Sequence, residues 1–195
     1  VKRSGAGYSA EIVNMLDGAQ KDRWFRPSDV QVAPDGSLIV ADWYDPGVGG
    51  HRMGDLDRGR LFRVTPKGHK GYKLPKLDFN SIDGLIMAIQ NPNNSVKYIA
   101  WMGLHKRQND AKPALLKLAQ HQNPRMRARA LWLLSQIKDN QAATVALAAK
   151  DKDDNIRGMA LRLARQHKLD VLPLIREFAD DDSALVRREC LIALR

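Results

Sequence analysis

The sequence predicts a mixed, mainly α chain: an α-solenoid of helical hairpins with a thirty-residue period, preceded by a small antiparallel β-meander. Three observations predict it. Apolar residues between 81 and 195 recur in register at steps of thirty without a gap. Helix-capping residue types recur at the same step, and residues 1–80 instead carry short β-rich runs joined by turn signals. No run approaches the roughly 18 apolar residues that a membrane-spanning helix needs. The single Cys190 excludes an internal disulfide. Of the net charge of +10, the segment 81–195 carries +7, which points to an acidic partner.

The N-terminal elements come first. "AEIVNML" at 10–16 is a strand candidate, although its spacing also permits a short helix. "VQVAPDGSLIVADW" holds two strands, Val30–Ala33 and Leu38–Ala41, joined by Pro34-Asp35-Gly36-Ser37, and Asp-Gly between apolar runs is a hairpin signal. "RLFRV" at 60–64 is the next strand. Three or four short strands in this pattern resemble one blade of a β-propeller. A single blade cannot bury both sheet faces, so it packs on the solenoid or joins further blades.

Between the strands lies a glycine-rich insert within "ADWYDPGVGGHRMGDLDRGRLFRV", residues 41–64. Asp42, Asp45 and Asp55 are hard oxygen ligands of the kind calcium accepts. Their spacing does not match an EF-hand loop, so turn-capping by these aspartates is favoured over a metal site. His51 titrates near neutrality and is the one candidate general base, exposed on a loop ordered by packing Trp43 against the sheet. "TPKGHKGYKLPKLDFN" has no apolar periodicity and reads as an extended linker along the repeats. The expected divisions are 1–66 for the partial propeller, 67–79 for the linker and 80–195 for the repeats.

The repeat units are expected at 80–109, 110–139, 140–169 and 170–195. Leu85, Leu115, Val145 and Ile175 mark the first helix of each. In the second helix Val96, Met126, Ile156 and Val186 form one column, and Ala100, Ala130, Ala160 and Cys190 another. Trp101, Leu131, Leu161 and Leu191 form the third, so the three columns lie at one apolar helical face. Asn80, Asp110, Asn140 and Asp170 are the expected caps of the first helices, and Asn93, Asn123, Asp153 and Ser183 those of the second. Pro113 and Pro173 fall in first turns, where a missing amide costs little.

"NPRMRARALWLLSQI" and "DDNIRGMALRLARQH" resemble the second helices of HEAT-like repeats of the short variety. The resemblance implies a scaffold whose stacked surface binds other macromolecules. HEAT-like metal hydroxylases carry repeated His-Glu pairs, and no His-Glu dipeptide occurs in this sequence. HEAT-like DNA glycosylases bind duplex through a basic face. One column is basic throughout: Lys97, Arg127, Arg157 and Arg187. It reads foremost as a structural ladder bonded to turn carboxylates such as Asp153, Asp154, Asp181 and Asp182. A protein partner is the second reading of this column, and nucleic acid stands behind both.

"WFRPSDVQVAPDGSLIVADWYDPGVGGHRMGDLDRGRLFRVTPKG" resembles the end of the propeller in the large membrane-bound dehydrogenases of planctomycete-type bacteria. In that family a propeller like that of quinoprotein sugar dehydrogenases precedes HEAT-like repeats. The resemblance implies an oxidoreductase with pyrroloquinoline quinone (PQQ) and calcium in a full-length parent, placed in the periplasm or cell envelope. It also implies a weak quinone-carboxylate role for Arg58. Most blades and any Cys-x-x-Cys-His haem motif are absent from these residues. The expectation is therefore an excerpt of a longer protein, with no cofactor and no turnover of its own, whose partners are proteins or other domains of the parent. The alternative is a free-standing basic HEAT-repeat adaptor that binds a protein or nucleic acid.

Overall fold

The computed structural model describes residues 1–18, 24–44, 58–69 and 73–195. Strands β1 (Lys2–Ser4) and β2 (Gly7–Ser9) form an N-terminal hairpin with Ser4 opposite Gly7. Gly5 takes a φ of 55° at the first central position of its two-residue turn, where hairpins of the II′ type use glycine. Sequence reasoning missed this hairpin, because three-residue strands show no alternation. It expected structure at 10–16 instead. Those residues form neither strand nor helix, and Ile12 is 94% exposed. Among the described residues no strand lies beside this apolar run, so it has no ladder to join.

Strands β3 (Pro27–Val32), β4 (Leu38–Asp42) and β5 (Arg60–Val64) form an antiparallel meander in the order β3-β4-β5. The Pro34–Ser37 turn is closed by Asp35, whose Oδ1 accepts from the Ser37 amide at 2.9 Å and from its hydroxyl at 2.7 Å. Gly36 supplies the positive φ, at 89°. Val40 is the one apolar side chain in this sheet that is buried among the described residues. Trp43, expected to pack on the sheet, is 66% exposed. Its backbone amide donates to the Arg26 carbonyl at 2.9 Å and so extends the β3–β4 pairing, while the indole gains no cover from the sheet.

Eight α-helices follow among the described residues. They pair as α1 (Ile82–Ala88) with α2 (Asn94–Arg107) and α3 (Lys112–Leu118) with α4 (Pro124–Leu134). Then come α5 (Gln141–Ala149) with α6 (Asp154–Gln166) and α7 (Leu172–Phe178) with α8 (Ala184–Ala193). A 3-10 turn, Gln108–Ala111, leads into α3. The second helices also pack on one another, α2 on α4, α4 on α6 and α6 on α8. Successive units therefore share one continuous core, as in a solenoid.

The apolar columns lie in that core. Ala100, Ala130 and Ala160 are fully buried and Cys190 is 4% exposed. A methyl-sized residue lets the two helices of a unit approach closely. The columns fail at one end: Leu191 is 68% exposed and Ile175 only partly buried. Both belong to the fourth unit, which has a neighbour on one side only among the described residues.

Capping splits the two helix rows. Asn93, Asn123 and Asp153 cap α2, α4 and α6, accepting from the amides of Val96, Arg125 and Asn155. Ser183 sits at the N-cap of α8 but donates its hydroxyl to Asp154 instead. The first-helix positions behave differently. Ser81, not Asn80, caps α1, and Asp110 lies inside the 3-10 turn. Asn140 turns its side chain inward, donating to the Leu134 carbonyl at 3.0 Å and to Thr144 Oγ1 at 2.9 Å. Asp170 accepts from the Leu172 amide from one residue before the N-cap Val171. The turns entering the first helices differ from unit to unit, so an equal step in sequence does not give an equal place at the helix start.

Candidate interaction surface

The turn between the two helices of each unit contains a column that sequence reasoning did not isolate: Asn91, His121, Asp151 and Asp181. In every unit this side chain accepts the backbone amide two residues on, at 2.8 to 2.9 Å. The signal was present, since the four positions share the thirty-residue step. Their unlike residue types concealed it.

The basic column meets this turn column. Arg127 Nε and Nη2 donate to the Asp151 carboxylate at 2.8 and 2.7 Å, while Nη1 donates to the carbonyls of His121 and Gln122, each at 3.0 Å. Arg157 repeats the arrangement one unit later, with Asp181 at 2.7 and 2.8 Å and the carbonyls of Asp151 and Lys152 at 3.2 Å. Arg187 donates to the Asp181 carbonyl. The Lys97 side chain makes no hydrogen bond or ion pair among the described residues. Of the carboxylates expected as partners, Asp181 takes the part. Asp153 caps α6 and Asp154 pairs elsewhere, while Asp151 occupies the site instead. The physical reason is reach: the fork spans to the residue two before the cap, which projects toward the preceding unit.

Arg157, aided by the Ser183 amide, holds the Asp181 carboxyl below the usual carboxylate range against burial. Burial pushes the Asp151 carboxyl up, but Arg127 and the Asp153 amide outweigh it and the net shift is downward.

The β elements dock on the same helical layer. The β1–β2 hairpin lies on the third and fourth units: Arg3 forms a two-pronged pair with Asp154, and the Tyr8 hydroxyl donates to Asn155 at 3.2 Å. Arg188 donates to the Ala6 carbonyl at 2.6 Å. Arg3, joined by the Ser183 hydroxyl, holds the Asp154 carboxyl well below its ordinary value. Glu189 is nearly buried and accepts from both Arg162 and Arg188, at 2.7 and 2.8 Å. At the other end, the β3–β4 turn rests on the first unit. Asn91 Nδ2 donates to the Pro34 carbonyl at 2.9 Å, and Asn93 Nδ2 donates to the Val32 carbonyl.

In the meander the Asp42 carboxylate is engaged by protein donors. This carboxylate is buried, and its Oδ1 accepts the amides of Arg26 at 2.7 Å and Tyr44 at 3.0 Å. Its Oδ2 takes Arg60 Nε at 2.8 Å and Nη2 as well. All four of its lone-pair directions are used. Arg60 also lies over the Tyr44 ring, 4.5 Å from its centroid. Burial raises the Asp42 carboxyl, yet these donors bring it below its ordinary value. Arg58 is exposed and has no carboxylate beside it among the described residues. Asp45, His51 and Asp55 lie outside the described residues. Among the described residues no cluster of three or more His, Cys, Asp or Glu could hold a metal. No described helix is long and apolar enough to cross a membrane.

The family model for HEAT repeats matches residues 82–162, from the start of α1 into α6. No curated protein matches the chain. The helical hairpins are HEAT-like, and the repeat region is a helical scaffold of the kind that commonly mediates protein interaction.

Proposed function

We propose that the chain is a HEAT-like interaction scaffold that carries part of a quinoprotein-dehydrogenase-type propeller on its first unit and has no turnover of its own. The observation that carries this reading is the pair of asparagine amides, Asn91 and Asn93, fastened to the β3–β4 hairpin carbonyls. Those two side chains spend their donors on another element's backbone while their oxygens hold their own turn. Such a double bond set fixes the meander against the repeats. The sequence order of meander, linker and repeats supports the reading, as does the resemblance between Trp24 and Pro66. In it, PQQ and calcium belong to the complete propeller of the parent enzyme, and the compartment is the periplasm or cell envelope.

Two readouts test it. The chain, given PQQ, calcium and aldoses, is expected to reduce a redox dye no faster than background. Turnover above background sinks the claim that it is inactive alone. The open reading frame is expected to encode further propeller-type strand motifs before the present Val1. An initiation codon directly before Val1 overturns the fusion and favours the free-standing basic adaptor.

A further inference from the structure

Three junctions join the four units, and they are not alike. At the second-to-third and third-to-fourth junctions the arginine near the start of the second helix meets an aspartate of the next turn, as Arg127–Asp151 and Arg157–Asp181. The first-to-second junction keeps the cation, as Lys97, but the turn position holds His121. Its Nδ1 is already taken by the Asn123 amide at 2.9 Å. The carboxylate that neutralises the later junctions is missing from this one.

Further positive charge gathers at the same place. Arg129 on α4 reaches back over the first unit, its Nη1 donating to the Ile89 carbonyl at 2.7 Å. Arg125 lies one turn earlier on the same face of α4 and is exposed. Among the described residues none of Lys97, Arg125 and Arg129 has an ion-pair partner. Burial, and then the Arg129 charge, lowers the proton affinity of Lys97, while burial, and then the Arg125 charge, lowers that of Arg129. Tyr98, the next residue of α2, is 66% exposed.

We propose that the first-to-second junction docks an acidic, extended segment of a protein partner, one of whose carboxylates lies between Lys97 and Arg129. That carboxylate takes the place that Asp151 and Asp181 fill at the later junctions. The inference rests on the scaffold reading and names the partner's chemistry. Charge complementarity argues for it, as does continuity with the surface that already docks the β1–β2 hairpin on α6 and α8. A nucleic-acid backbone fits less well. Its phosphates call for a long track of cations, and the next two in the row, Arg127 and Arg157, are already neutralised. Exposed Tyr98 suits a peptide with apolar residues between its acids.

The test uses the full chain and a short fluorescein-labelled peptide of Glu-Leu-Glu-Ser repeats, with a Gln-for-Glu peptide as its neutral twin. The Glu peptide is expected to bind and the Gln peptide not to. The variant Lys97→Gln/Arg125→Gln weakens binding about tenfold without moving Tm, since neither side chain has a hydrogen bond or ion pair among the described residues. The control Lys117→Gln/Arg176→Gln removes the same charge from the first-helix row and leaves binding unchanged. Absence of Glu-peptide binding overturns the proposal, and so does equal loss in both variants. Tighter binding of a short DNA duplex, lost in the same junction variant, overturns the choice of partner. None of these outcomes bears on dye reduction or the reading frame, so the two readings fail separately.

Discussion

Replacing Arg127 by alanine removes the best-enclosed rung of the solenoid. The Arg127 side chain is 6% exposed and that of Asp151 11%. Truncation removes two charge-assisted bonds to the carboxylate and two bonds to the carbonyls of His121 and Gln122. Asp151 is then left with the Asp153 amide alone and little water to replace the guanidinium. Breaking a buried ion pair from one side costs about 3–5 kcal/mol. For a chain of this size about 1 kcal/mol corresponds to roughly 2–4 °C, so Tm should fall by roughly 6–20 °C. The Arg157 side chain is 20% exposed, and Arg157→Ala should cost less, about 1–3 kcal/mol. The penalty is for an orphaned charge, so neutralising the partner should return part of it. Arg127→Met combined with Asp151→Asn is therefore expected to cost less than the sum of the single changes. Urea unfolding followed by circular dichroism measures the native chain and each of these variants. A cost below about 1 kcal/mol for Arg127→Ala, or strict additivity in the cycle, would falsify this account of the rung.

Two further outcomes are expected. The depressed Asp181 carboxyl contributes stability that is complete above its unfolded pKa of about 3.9 and disappears as pH falls through its lower folded value. The stability difference between the native chain and Asp181→Asn should thus be constant above about pH 5 and shrink below about pH 4. A difference that shrinks already between pH 7 and 5 contradicts the assignment. Lys168 closes α6 in left-handed backbone, φ 56°, its amide donating to the Arg165 carbonyl and that of Leu169 to Ala164. Glycine suits this C-terminal motif, so Lys168→Gly should raise stability by about 0.5–1 kcal/mol, after the entropy that glycine adds to the unfolded chain. A lowered Tm counts against the motif.

Much of the helical region was legible in the sequence because its information is local. The period of 3.6 places Ala100, Ala130 and Ala160 on buried faces whatever lies beyond. A cap such as Asn93 or Asp153 needs only an amide two or three residues away. The meander was legible for the same reason, since Asp35, Gly36 and Ser37 close their own turn. First-helix starts were less legible. Asn80 and Asn140 have the right chemistry, but each side chain's use depends on how tightly its turn winds.

By itself, then, the sequence determined which segments are helices, how many residues separate successive units, and that a basic column runs through them. The tertiary structure alone decided what that column meets. Arg127 and Asp151 are 24 residues apart and touch only because stacked units bring one helix start against the next turn. In the meander it is strand pairing that sets Arg60 opposite Asp42, 18 residues away, and closes the carboxylate in an ion pair. At the first junction the corresponding turn position is His121, and among the described residues Lys97 has no carboxylate partner like those of Arg127 and Arg157. Periodicity fixes the direction of a side chain from its own helix, whereas its partner depends on the rise and rotation from unit to unit, which no local spacing encodes.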